Sequence, residues 1–107
     1  MNRRNTVTTH SAVYAMEGDL WKKSEHWRKW NQRAFRLEGH NLVWFAKKSE
    51  KPKGQIVINS NVIIATQESK VPERWPFSVT FNNGKYVLYL AAASKSVRSD
   101  WIKVWCR

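Results

Sequence analysis

The chain contains a single cysteine, Cys106, and only eight acidic residues among its 107. One thiol cannot close an internal disulfide, so a cross-linked secreted scaffold is excluded and a reducing compartment such as the cytosol is expected. The sequence nowhere has the roughly eighteen consecutive apolar residues of a membrane span. Met1 to Thr9 is polar and lacks the apolar core of a secretion signal. Any membrane contact is therefore expected to be peripheral. Catalytic spacings are missing too. His10, His26 and His40 stand in a tail, a loop and a turn, with neither a paired nucleophile nor metal-ligand spacing, and the carboxylates are scattered. That pattern argues against an enzyme, a metal or a cofactor. There is no internal repeat marking a second structural unit. The ribonucleoprotein motif, the KH glycine loop and the helix-turn-helix are also absent, which argues against nucleic acid as the partner.

What is present is bulky, basic and organised. Seven Trp, four Phe and three Tyr supply the material for one core, and a charged fraction of 25% speaks for a folded, soluble domain. The net charge of +11 implies an anionic partner, because solubility alone needs only about 2 to 8 charges. Residues 1–15, rich in Thr, Asn and Ser, read as a flexible leader or linker, and 16–107 as the folded domain.

From Glu17 onward, short segments rich in β-branched and aromatic residues alternate with turn signals, the spacing of an all-β sandwich or barrel. Seven strands are expected: Gly18 to Lys23, Arg33 to Glu38, Leu42 to Ala46, Gln55 to Ile58, Val62 to Thr66, Phe77 to Phe81 and Tyr86 to Ala91. Gly39-His40-Asn41 reads as a tight turn, and Asn82-Asn83-Gly84-Lys85 as a hairpin through its Asn-Gly step. The period then changes. Val97, Trp101, Val104 and Trp105 fall on one face of an amphipathic helix that Ser94 or Ser96 can cap. A lone helix after seven strands is expected to close one end of the barrel with Trp101. Cys106 reads as a helix thiol without chemistry.

Gly18-x-Leu20-x-Lys22, Arg33-x-Phe35-x-Leu37, Leu42-x-Trp44-Phe45 and the helical Trp101, in this order and spacing, resemble the pleckstrin-homology family over residues 17–107. The resemblance implies a mainly β fold: a seven-stranded, partly open antiparallel barrel of two nearly orthogonal sheets, capped by one C-terminal helix. It also implies a ligand site at the uncapped end, which in many members takes phosphoinositides.

Strand parity singles out two residues independently. Leu20 and Lys22 share one face of the first strand, and Arg33, Phe35 and Leu37 one face of the second. If the apolar members face the core, both cations face inward, which is tolerable only at a barrel mouth where their heads reach solvent or an anion. A planar guanidinium fork beside a mobile ammonium suits phosphate. In the resembling domains a lysine and an arginine at these places contact inositol phosphates. Lys53, in Pro52-Lys53-Gly54, resembles a further phosphate-contacting position. Trp44 stands where a tyrosine often binds phosphate, although core packing is its commoner role.

The loop Ser24 to Gln32 mixes Trp27, Arg28, Lys29 and Trp30, a composition suited to a membrane interface. Arg28 is read as a phosphate contact, and Lys23, Trp27 and Lys29 as membrane contacts. Asn31 replaces the basic residue that members preferring 3-phosphorylated lipids carry two positions before the Arg of Arg-x-Phe; it donates a hydrogen bond without charge. The expectation is thus a phosphoinositide-binding, membrane-targeting module of a larger signalling protein, cytoplasmic and peripherally recruited to the plasma membrane or another phosphoinositide-containing membrane. The alternative is a domain of the same fold that binds a peptide or small GTPase and has only nonspecific affinity for anionic lipid.

Overall fold

Alternation governs the strands. In the second strand Phe35 and Leu37 are buried while Arg36 and Glu38 stay half-exposed, and in the last Leu88, Leu90 and Ala92 are buried while Val87 and Tyr89 face solvent. The structure, a computed structural model, describes residues 14–24, 29–46, 48–59 and 61–105. Its elements are β1 (Tyr14–Lys23), β2 (Trp30–Glu38), β3 (Asn41–Phe45), β4 (Pro52–Val57), β5 (Ile63–Thr66), β6 (Trp75–Phe81), β7 (Tyr86–Ala92) and α1 (Lys95–Trp105).

Every strand pair is antiparallel, and the order across the sheet is β4-β3-β2-β1-β7-β6-β5. The seven strands form one sheet, and among the described residues its two halves are joined where Trp21 and Lys22 of β1 meet Ala91 and Leu90 of β7. Both halves turn their apolar faces to the same core, in which Phe35, Leu42 and Leu20 meet Phe77, Val79 and Leu90. Turn chemistry sets the hairpins: Gly39 has φ 63°, and Asn82, Asn83 and Gly84 are all left-handed, at 55°, 56° and 85°. Asn and Gly tolerate this region better than other residues, so the β6–β7 hairpin needs those residue types.

Helix α1 packs on β6, β7 and β1. Its start is capped as expected, the Val97 N–H donating to Ser94 Oγ at 3.1 Å. Trp101 is fully buried, its ring 5.6 Å from that of Trp105, which in turn lies 5.6 Å from Phe77. Arg98 ties the helix to the β5–β6 connection and to the start of β6: Nη1 donates to the carbonyls of Gln67 and Pro76, each at 2.9 Å.

Most strands are longer than their residue types suggest. β1 begins at Tyr14, β2 at Trp30, β4 at Pro52 and β6 at Trp75. The ladder extends because the neighbouring strand offers partners, as Lys22 to Asn31 and Lys23 to Trp30 show. Pro52 is tolerated because β4 is an edge strand, where a missing N–H costs no ladder bond. Cys106 lies outside the described residues.

Candidate functional site

The extended β1–β2 ladder builds the candidate mouth. Lys22 pairs with Asn31, and Leu20 with Arg33, so the side chains of all four share the face that leads into the core. β3 continues the same face: Trp44 pairs with Phe35 on one side and with Gly54 of β4 on the other. The Trp44 ring tilts onto buried Phe35 at 5.7 Å between centroids, and the Lys22 ammonium sits 5.6 Å from the centre of the Trp44 ring. Lys22 is therefore inward-facing and positioned by an aromatic surface, a cation–π contact worth about 0.5–1 kcal/mol at partly exposed sites.

Gly54 makes this possible. A Cβ there would overlap the Trp44 indole, so only the bare backbone lets the ring lie flat across β4. The expected Pro52-Lys53-Gly54 segment thus matters first for its glycine. Lys53 is exposed and lies in an irregularity of the ladder, because Phe45 pairs with Pro52 and Trp44 with Gly54, leaving Lys53 the extra residue.

Arg33 is half-buried and uses one guanidinium nitrogen, Nη1, to donate to the Gln32 carbonyl at 3.0 Å; among the described residues its other donors are not engaged. Arg33 and Lys22 face the same side from adjacent strands, as parity required. Asn31 shares that face, half-buried, directly across from Lys22. Lys29 is exposed at the loop base, where its N–H donates to Ser24 Oγ at 3.1 Å and its carbonyl accepts from the Ser24 N–H at 2.8 Å. Arg28, Trp27 and His26 lie outside the described residues.

Lys23 points the other way. Its ammonium lies 5.9 Å from the Trp30 ring and 5.8 Å from the Tyr89 ring, on the outer face of the sheet. Nearby on that face the Arg74 guanidinium stacks 4.0 Å above Trp21. The parity of Trp21 and Lys23 was legible, but their partners come from β2, β7 and the connection before β6, and the last two are revealed by no local pattern. A second concavity of about 520 Å³ lies between Glu17, Asp19, Arg36, Lys48 and Glu50. It mixes both signs of charge, and Arg36 there is 3.4 Å from Glu38 and stacked 4.4 Å over Phe45, so it does not offer the one-sided field a polyanion requires.

Along β1 the helix-covered end at Gly18 and the cationic end at Lys22 are roughly 13 Å apart. A rolled antiparallel sheet, covered by a helix at one end and carrying Lys22, over the Trp44 ring, and Arg33 on its inner face at the other, defines a small helix-capped β domain with a basic mouth. The PH domain family model matches residues 14–106, and the chain belongs to that family. Among curated proteins it is similar to the "Differentially expressed in FDCP 6 homolog" of Danio rerio, 29% identical over 86 residues, which is 79% of this chain but 14% of that protein. Among solved structures, the C-terminal PH domain of pleckstrin in complex with D-myo-Ins(1,2,3,5,6)P5 superposes with a TM-score of 0.76 at 25% identity, over 87% of this chain and 92% of that one. The PH domain of human oxysterol binding protein-related protein 11 superposes with a TM-score of 0.68 at 22% identity, over 84% and 75%, a likeness of fold alone.

Proposed function

We propose that this PH domain binds the phosphorylated head group of an inositol lipid at the mouth between the β1–β2 and β3–β4 loops, and so recruits the protein that carries it to an anionic membrane. The observation that carries the reading is that Lys22, held over the Trp44 ring, and Arg33 share the inward face of adjacent strands. Two cations at one mouth match a ligand with several phosphates: Arg33 supplies a planar fork and Lys22 a point charge held over the indole. That a similar PH domain has been solved with an inositol pentakisphosphate supports the same ligand chemistry.

In this reading Asn31 donates a neutral hydrogen bond, Lys53 and Arg28 reach outer phosphates, and Lys23, Lys29 and Trp27 meet the surrounding bilayer. The neutral Asn31 weakens any preference for 3-phosphorylated lipids. Trp44 acts as floor and support for Lys22. No helix among the described residues is long and apolar enough to cross a membrane, and none of their His, Cys, Asp and Glu side chains group as a metal site.

The test is co-sedimentation with liposomes at physiological salt, paired with calorimetric titration of a soluble inositol phosphate. Phosphoinositide vesicles should be preferred over phosphatidylserine vesicles, and Lys22→Ala and Arg33→Ala should each lose that preference. Equal binding to every anionic vesicle, unchanged in both variants, would leave only a basic surface and favour the protein-interaction reading.

A further inference from the structure

The tetrapeptide Lys-Lys-Ser-Glu occurs twice, at residues 22–25, across the end of β1, and at residues 47–50, between β3 and β4. Two lysines immediately before a serine are what a basophilic serine kinase reads, because carboxylates in its substrate cleft pair with them. Such a cleft also needs the serine exposed on a segment outside regular structure.

The described serines differ sharply on that second requirement. Ser78 is buried, and Ser69 is half-buried with Oγ donating to the Val71 and Arg74 carbonyls at 3.0 and 2.9 Å. Ser94 caps α1, while Ser96 and Ser99 are wound into it, each behind a single basic residue. Ser24 has the lysine pair but is half-buried, and both its N–H and its Oγ are bonded to Lys29. Ser49 alone among them combines the lysine pair with exposure; its N–H donates to the Ala46 carbonyl at 3.0 Å and its Oγ accepts from the exposed Lys51 N–H at 3.3 Å, so exposure is what separates it from Ser24.

We infer that Ser49 is a phosphorylation site for a basophilic serine kinase, and that its phosphate weakens the domain's hold on anionic membranes. In the modification Ser49 Oγ attacks the γ-phosphorus of ATP. The Oγ–P bond forms as the bond to the ADP oxygen breaks, and the hydroxyl proton passes to the kinase's base. Residues 47–53 carry four lysines against one glutamate, a balance of +3. A phosphoserine of about −2 lowers that to about +1. It also gives Lys48 and Lys51 an intramolecular anion to pair with in place of a lipid phosphate. At the membrane surface two charge units correspond to roughly 10- to 30-fold weaker partitioning. This consequence rests on the proposed membrane function; the modification itself does not.

The whole chain is incubated with a purified basophilic serine kinase and Mg-ATP, and phosphate is located by peptide mass mapping. A Thr6→Ala background is used, because Arg3-Arg4-Asn5-Thr6 also places a basic pair ahead of a hydroxyl. Phosphate should appear on Ser49, vanish in Ser49→Ala and persist in Ser24→Ala. Incorporation at Ser24 equal to that at Ser49, or none at Ser49, overturns the site. For the consequence, phosphorylated and unmodified chains are sedimented with vesicles containing phosphatidylserine and a phosphoinositide. A roughly 10- to 30-fold loss on phosphorylation is expected, and unchanged binding overturns the regulatory role. Failure of the unmodified chain to bind vesicles refutes the membrane function instead, and the peptide map still decides the site.

Discussion

Replacing Arg33 by alanine removes a half-buried guanidinium that makes one main-chain hydrogen bond, to the Gln32 carbonyl at 3.0 Å, and otherwise points into the mouth. A charge-assisted hydrogen bond to a phosphate contributes about 1.5–3 kcal/mol. Loss of the fork should therefore cost about 2–3 kcal/mol of binding, which is roughly a 30- to 150-fold rise in the Kd for a soluble inositol phosphate. Stability should hardly change, because no core contact is lost; a cost within about 1 kcal/mol keeps Tm within roughly 4–8 °C of the parent. Arg33→Lys keeps the charge but not the planar geometry and should fall between the two, at roughly 5- to 10-fold. The assay is calorimetric titration of each variant, with thermal unfolding by circular dichroism as the folding control. If Arg33→Ala folds normally and titrates like the parent chain, the inward mouth is not the binding site and the reasoning from parity fails.

Lys23→Ala, on the outer face between Trp30 and Tyr89, should leave the soluble head-group Kd unchanged and lower vesicle partitioning about fivefold, since one charge near an anionic surface contributes about 1 kcal/mol; an equal loss in both assays would place Lys23 in the ligand site. Gly54→Ala forces the Trp44 indole aside, so it should cost about 1–3 kcal/mol in urea unfolding and weaken the head-group titration through the displaced Lys22. Trp101→Ala empties the most buried large position and should cost about 3–5 kcal/mol, read as a lower urea midpoint. Ser94→Ala removes the helix cap and should cost about 1 kcal/mol, lowering Tm by roughly 4–8 °C.

The inward face of Lys22 and Arg33 was legible because side-chain direction in a strand has a period of two and needs no partner to be read. The β6–β7 turn and the helix face were legible for a similar reason: left-handed backbone selects Asn and Gly, and a period of 3.6 marks the buried side. Strand ends were not, because Trp30, Asn31 and Pro52 join the ladder through hydrogen bonds to a neighbour rather than through their own propensity. Nor was the role of Gly54, which reads as a turn glycine until Trp44 is seen lying across it.

By itself the sequence determined a basic, aromatic-rich β domain with one C-terminal amphipathic helix, and it put two cations on the core side of the first two strands. Those properties are local, set by charge, period and turn chemistry within a few residues. Tertiary structure alone decided that the Lys22 ammonium rests over Trp44 two strands away, that Lys23 faces out between Trp30 and Tyr89, and that the sheet joins its halves through Trp21 and Lys22 against β7. It also decided that one Lys-Lys-Ser-Glu serine is held at a loop base while its twin stands exposed. These depend on register and closure, which are fixed by core packing between segments far apart in the chain and leave no periodic trace in any one of them.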